Sequence, residues 1–387
     1  MNAEKKADII VIGAGPGGAM AAKHAAAGGR EVLVLERKER VGVPVRCGEG
    51  IGYKGLTLSL PVRDQWVLSR IQHIRMYSPA GISIDLKDID ESFIIDRTVM
   101  DAELASDAVQ SGARLMTKMP VHSIRKESAS LYRCETPRGD FVAPVIIIAD
   151  GVESRLARDL GWNTALSLSD IDSCAFCRVR HASLEDGYIR FYTGKKVAPG
   201  GYLWIFPRGK GYANVGLGVL GTYSTPGKAR ELLRLFLDEH LPGAELTDLH
   251  CGGVPVAPWL KPLVRDGIMI VGDAARQVSC LTGGGIAYAL HAGTLAGKAA
   301  ASAWEDGTPN VSRLIEYERQ WAKTFGRQQR RTHKLKNLLL RFKDAELDKI
   351  AESMKNVESD KMGYLRVFTR VFARHPLSLL RVITLFR

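Results

Sequence analysis

Residues 8–36 read DIIVIGAGPGGAMAAKHAAAGGREVLVLE, and this stretch decides the fold. The apolar run at 8–12 predicts a buried strand, and Gly13 to Gly18 predict a tight turn into a helix ending near Gly28. Residues 32–36 predict a second buried strand. Strand, glycine turn, helix and strand in this order open a parallel α/β sheet. Gly13, Gly15 and Gly18 have the spacing GxGxxG. The first glycine permits the turn, the second lets backbone approach a pyrophosphate, and the third allows close packing of helix on strand. The helix N-terminus faces the negative charge. Glu36 ends the second strand, 18 residues after Gly18, where an acid binds ribose hydroxyls and disfavours a 2′-phosphate. The segment predicts a dinucleotide site.

Working outward, residues 99–111 predict an amphipathic helix, and 145–149 (VIIIA) and 264–271 predict further buried strands. A long helix is expected from about Gly284 to Asp306. Between about 165 and 255 short strand patterns dominate, among them Tyr188–Tyr192, Tyr202–Phe206 and Ala213–Gly218. The fold class is therefore α/β, with a discontinuous Rossmann-like domain (1–60, 92–165 and 255–310). An antiparallel β-sheet domain (61–91 and 166–254) is inserted into it, and a helical, basic region (311–387) follows.

The chain has 387 residues, 45% hydrophobic and 25% charged, with a net charge of +12, a composition ordinary for a globular protein of two or three domains. The positive excess is concentrated: neither 320–343 nor 361–387 contains an acidic residue. No nucleic-acid-binding signature accompanies it. The N-terminus does not resemble a signal peptide, and no apolar run is long enough to span a bilayer. A cytoplasmic location is expected, with any membrane contact peripheral, on the inner face of the cytoplasmic membrane. Cys174 and Cys177 form one CxxC in a strand pattern, without the further ligands a zinc site needs, so no metal is expected.

Asp150-Gly151 follows the strand 145–149, and Gly272-Asp273-Ala274-Ala275 follows 264–271. With the glycine loop, this set resembles the large glutathione-reductase-like FAD family, in the branch that contains aromatic hydroxylases and geranylgeranyl reductases. The resemblance implies that FAD is the cofactor and that Asp273 holds the ribityl chain. It also implies that Gly283, Gly284, Gly285 and Ile286 bring a helix N-terminus to the isoalloxazine, where positive potential stabilises an anionic reduced flavin. Arg97, with Asp101 and Leu104 downstream, matches the family's flavin-facing arginine. Arg37, Val121, Asp150 and Gly151 join the same expected site.

Two motifs narrow the family. Pro44-Val45-Arg46-Cys47-Gly48-Glu49-Gly50 resembles the PxxCGEG loop of archaeal digeranylgeranylglycerophospholipid reductases and related geranylgeranyl reductases. Tyr202-Leu203-Trp204-Ile205-Phe206-Pro207, with Ala213-Asn214-Val215-Gly216 beyond it, resembles their YxWxFP segment. The resemblance places Cys47, Gly48 and Gly50 against FAD. It departs at Ser279-Cys280, where relatives carry Asp-Pro. On a strand, Tyr202, Trp204 and Phe206 share one face. They read either as a wall for a long apolar substrate or as an inter-sheet core stripe.

The implied reaction saturates isoprenoid double bonds of a membrane lipid or polyprenyl carrier. It uses hydride from flavin N5 and a proton from the protein, with Cys47 or Glu49 as donor; Cys47 also reads as a small packing residue. Electrons would come from NAD(P)H or a ferredoxin-like protein. The rival readings are an FAD-dependent monooxygenase or halogenase of the same fold, and a non-catalytic flavin- or prenyl-binding protein. Arg366, Arg370 and Arg374, with Val367, Phe368, Val371 and Phe372 between them, predict an amphipathic helix suited to an anionic membrane surface or to packing on protein.

Overall fold

Ile9–Ile12, Val32–Leu35, Val145–Ile148 and Ile268–Ile270 are buried at every position, as strands covered on both faces must be. In the computed structural model, which describes residues 5–87, 90–305 and 308–355, they form the centre of a six-stranded sheet. From one edge the order is Val264–Arg265, Ile268–Ile270, Val145–Ile148, Ile9–Ile12, Val32–Leu35 and Arg114–Met116. All neighbours are parallel except the first pair.

That first pair corrects an expectation. The single strand expected over 264–271 is a hairpin, with Val264 opposite Met269. Asp266 (φ 46°) and Gly267 (φ 90°) form its turn, and the left-handed backbone of an Asp-Gly pair favours this reversal.

Helix Pro16–Ala27 lies against helix Ile286–Ser302 so closely that only glycine fits between them. A Cβ on Gly293 would stand 2.2 Å from the Gly17 carbonyl oxygen, and one on Gly297 would stand 2.3 Å from that of Ala21.

A seven-stranded sheet holds the middle of the chain, in the order Glu245–Pro255, Ile171–Arg180, Tyr212–Leu220, Leu203–Gly209, Tyr188–Tyr192, His73–Tyr77 and Ser83–Leu86. Helix Lys228–His240, which the strand patterns of this region do not announce, covers one face. Its Leu232, Leu233, Phe236 and Leu237 pack with Ala175, Cys177, Leu203, Ile205, Val215 and Leu217. By alternation, Asp172, Cys174, Phe176, Trp204 and Phe206 face the other way, into the molecule. A three-stranded sheet of Gly50–Gly52, Ser92–Ile95 and Val67–Ile71 bridges the two large sheets.

Past residue 310 the described chain is helical: Ile315–Lys323, Phe325–Leu339 and Asp344–Met354. Tyr317 and Trp321 are fully buried in the main core. Gln329 donates to the carbonyls of Ala257, Arg276 and Val278. The buried Lys336 donates to the carbonyls of Ser169 and Val256 at 2.9 and 2.8 Å, and to Asp170 at 3.3 Å. This helix therefore straps two of the segments by which the chain passes between the large sheets, those around residues 169–170 and 256–257. The amphipathic helix expected around 366–374 lies outside the described residues. Among the described residues no helix is long and apolar enough to cross a membrane, and no cluster of metal-ligating side chains occurs.

Candidate active site

Strands Ile9–Ile12 and Val145–Ile148 are neighbours although Val32–Leu35 and Arg114–Met116 lie between them in sequence order, so a crevice opens beyond their carboxyl ends. The glycine loop lines it. Gly13 has φ 100°, and a Cβ there would meet the Ala149 carbonyl oxygen at 2.4 Å. A Cβ on Gly18 would stand 1.9 Å from the Gly13 oxygen. At Gly15 a Cβ would meet nothing within 4 Å, because the backbone there borders open space at the helix N-terminus. Glu36 is buried. It accepts from the Ala14 amide at 2.7 Å and the Lys38 amide at 2.9 Å, tying the loop to the strand end while each oxygen keeps a lone pair.

The crevice continues into a cleft of about 990 Å³ that reaches the inner face of the seven-stranded sheet. Gly15, Gly18, Arg37, Arg97, Asp150, Gly151, Asp273, Gly284, Gly285 and Ile286 line it together, although 271 residues separate the first from the last. Gly13 and Glu36 support the loop from behind. Val121 packs against the main core and is not among the residues lining the cleft. Burial pushes the carboxyls of Asp150 and Asp273 upward. Asp150 Oδ1 is buried without a hydrogen-bond partner, and Asp273 Oδ1 would lie 3.2 Å from a Cβ on Gly285. Arg97 makes a bidentate pair with Asp101, both bonds 2.7 Å, a geometry that fixes the guanidinium plane.

The Cys47–Gly50 loop crosses the cleft between the two large sheets. Glu49 is 1% exposed with φ 68°, and it accepts from the Arg97 amide at 2.9 Å, from Asn214 Nδ2 at 2.8 Å and from the Arg208 guanidinium. Every group hydrogen-bonded to this carboxylate is a donor, and together they give it three hydrogen bonds. Glu49, a candidate proton donor in the sequence, thereby ties the loop to Arg97, Asn214 and Arg208. Cys47 Sγ accepts from the Glu49 amide at 3.2 Å, and burial pushes its thiol upward, so it stays protonated.

Gly48 and Gly50 are glycines because aromatic rings lie on them. A Cβ on Gly48 would stand 3.0 Å from Trp204 Nε1, and one on Gly50 would stand 2.9 Å from Phe206 Cε2. Arg208 and Asn214 had no assigned role in the sequence reading. Arg208 carries on the spacing of two that joins 202, 204 and 206, and that is the signal that identifies it.

Tyr202, Trp204 and Phe206 line the cleft as a wall, with ring centroids 6.0 and 6.1 Å apart in succession. Phe191 adds a fourth ring, edge-on to Tyr202 at 5.3 Å and to Phe206 at 5.8 Å. The Tyr202 hydroxyl donates to the Thr282 carbonyl, joining this wall to the glycines before helix Ile286–Ser302. The Trp204 indole lies over Gly216, where a Cβ would stand 2.4 Å from Cζ2. Gly216→Ala is therefore expected to force the indole out of place and to destabilise the protein by about 1–3 kcal/mol, read as a lowered melting temperature.

The comparisons with known proteins agree with this geometry. A model of the geranylgeranyl reductase catalytic domain matches residues 170–254, and one of an NAD(P)-binding Rossmann-like domain matches 11–63. The chain is 39% identical to a digeranylgeranylglycerophospholipid reductase of Methanothrix thermoacetophila, over 95% of this chain and 96% of that one. It is also 39% identical to digeranylgeranylglycerophospholipid reductase 1 of Methanothermobacter thermautotrophicus, over 98% of each. The crystal structure of a geranylgeranyl bacteriochlorophyll reductase-like protein from Thermoplasma acidophilum superposes with a TM-score of 0.91 at 29% identity, covering 99% of this chain and all of that one. A flavin-dependent brominase, with a TM-score of 0.70 at 16% identity over 96% of this chain and all of that one, shares the fold alone. The chain belongs to the digeranylgeranylglycerophospholipid reductase family of geranylgeranyl reductases.

Proposed function

We propose that this protein is an FAD-dependent reductase of isoprenoid double bonds, acting on a geranylgeranylated glycerophospholipid. The observation that carries the reading is one continuous cleft with the glycine loop at one end and the aromatic wall at the other. The residues fit FAD. Open space at Gly15 and the N-terminus of helix Pro16–Ala27 suit the pyrophosphate, and Glu36 has lone pairs free for a ribose. The unpaired oxygen of Asp150 and the buried carboxyl of Asp273 suit hydroxyl-bearing parts of the cofactor. Gly13, Gly18, Arg37, Arg97, Gly151, Gly284, Gly285 and Ile286 complete that site, while Cys47, Gly48 and Gly50 close it toward the substrate. When bound and reduced, the flavin supplies hydride from N5.

The protein's own part is to hold the chain, exclude water and supply a proton. An isolated prenyl double bond accepts hydride poorly until protonated to a tertiary cation. Tyr202, Trp204 and Phe206 would stabilise such a cation by about 1–2 kcal/mol each in a dry site. Electrons reach the flavin from NAD(P)H or a ferredoxin-like protein, and the basic C-terminus makes peripheral contact with the membrane that holds the lipid.

Two measurements test the reading. Lipid co-purifying with the protein is expected to carry fully or partly saturated prenyl chains by mass spectrometry; an aromatic ligand in its place would favour the monooxygenase alternative. Cys47→Ala is expected to keep FAD while lowering turnover about tenfold, because the thiol shapes the cleft beside the reacting carbon. Unchanged turnover with FAD fully bound would remove Cys47 from the site.

A further inference from the structure

Among the described residues of the seven-stranded sheet that line the cleft, Asp172 is the only one with a charged side chain. Asp172 sits at the start of strand Ile171–Arg180 and faces the cleft with Cys174 and Phe176. Its Oδ1 is buried with no hydrogen-bond partner, and its Oδ2 would lie 3.6 Å from a Cβ on Gly218. Leaving a carboxyl unpaired on an apolar wall costs folding stability, so its position points to a ligand rather than to the core.

The titratable groups that interact with it come from three elements. Cys174 follows on its own strand and itself meets Cys251 of strand Glu245–Pro255, Tyr202 precedes strand Leu203–Gly209, and Lys336 reaches in from helix Phe325–Leu339. Lys336 is tied to Ser169, Val256 and Asp170. The Tyr202 hydroxyl is committed to Thr282, and burial pushes it and the Cys174 thiol upward. Burial raises the Asp172 carboxyl to about 6, against the pull of Lys336. It is then a stronger acid than the thiol and the hydroxyl beside it, and it is largely protonated below about pH 6. An alkene is a very weak base, and proton transfer to it quickens with the strength of the acid.

We propose that Asp172 is the acid that protonates the alkene. This rests on the reductase reading above and assigns its proton. The Asp172 O–H bond breaks, and the π electron pair of the less substituted alkene carbon forms the new C–H bond. The tertiary cation would then accept hydride, with both its electrons, which a bound reduced flavin would supply. Water re-protonates the carboxylate as product leaves. The buried Cys47 thiol holds its proton more tightly and serves to shape the cleft.

The test uses the full chain loaded with FAD and reduced by dithionite without oxygen. It is mixed with a geranylgeranylated glycerophospholipid in detergent micelles, and flavin reoxidation is followed in a single turnover. The wild-type rate is expected to fall about tenfold per pH unit above about pH 6, because the protonated acid is consumed as pH rises. Asp172→Asn is expected to lower the rate at least about a hundredfold and to flatten that dependence, with FAD affinity and flavin potential unchanged. Asp172→Glu should restore part of the rate with a displaced pH profile. A wild-type rate and pH profile in Asp172→Asn would overturn the proposal. So would a flat wild-type profile without a solvent deuterium isotope effect, which needs no variant to fold. Failure of the wild-type protein itself to pass hydride to the lipid would instead sink the reductase reading.

Discussion

Glu49→Ala is expected to cost roughly 3–5 kcal/mol of stability, the usual penalty for removing one partner of a buried ion pair. The side chain of Arg208 is only 12% exposed, and its closest acidic neighbour after Glu49 is Asp96 at 3.8 Å. Without Glu49 a buried guanidinium keeps its desolvation cost with little in return, and Asn214 and the Arg97 amide lose an acceptor. Because the same carboxylate fixes the loop that carries Cys47, FAD content is expected to fall with stability. Urea unfolding of Glu49→Ala and Glu49→Gln beside the wild type checks this. Gln keeps the shape but presents an amide where donors already point, so a loss of more than about 1 kcal/mol is expected there too. Wild-type stability in Glu49→Gln would show that the carboxylate's charge is not what anchors the loop.

The second large effect is at the glycine loop. Gly18→Ala is expected to abolish FAD binding and to destabilise the chain by roughly 3 kcal/mol or more, since its Cβ would fall 1.9 Å from a backbone oxygen that cannot move without breaking the turn. Gly15→Ala is the contrast. Its Cβ meets no protein atom within 4 Å, so the unliganded protein should melt as the wild type does. The methyl group would nevertheless stand in the space proposed for the pyrophosphate, and flavin affinity is expected to drop at least tenfold. Thermal melting of the apoproteins, with a fluorescence titration of FAD, separates the two. Full FAD affinity in Gly15→Ala would contradict the placement of the cofactor's phosphates.

What the sequence makes legible is what short spacing encodes. GxGxxG, Glu36 and the apolar runs that form the parallel sheet are local signals, and strain at Gly13 and Gly18 makes them nearly obligatory. Alternation puts Trp204 and Phe206 on one face and Leu203 and Ile205 under helix Lys228–His240, as a period of two requires. The hairpin at Asp266-Gly267 was equally local, but a continuous apolar reading across it hides the turn. Helix Lys228–His240 is concealed differently, by strand patterns on both sides of a segment whose Leu232, Leu233, Phe236 and Leu237 are spaced for a helix.

Long-range pairing is what no local pattern reveals. Glu49 stands alone in the sequence, and its partners Arg208 and Asn214, 159 and 165 residues away, come into view only in the fold. Asp172 reads as an unremarked strand residue until the fold sets it on the wall of the cleft. The glycines of the Cys47–Gly50 loop are explained by rings more than 150 residues distant, a reason that becomes visible only once the two sheets face each other.

The central claim is that the reduced flavin hands hydride to an isoprenoid alkene across this cleft. The most direct measurement mixes dithionite-reduced holoprotein, under argon, with excess geranylgeranylated glycerophospholipid, recording flavin absorbance and the lipid's mass together. The account predicts that the flavin reoxidises with the lipid as sole acceptor, and that the lipid gains two hydrogens for each flavin oxidised. A flavin that stays reduced until oxygen is admitted, with the lipid's mass unchanged, would contradict it.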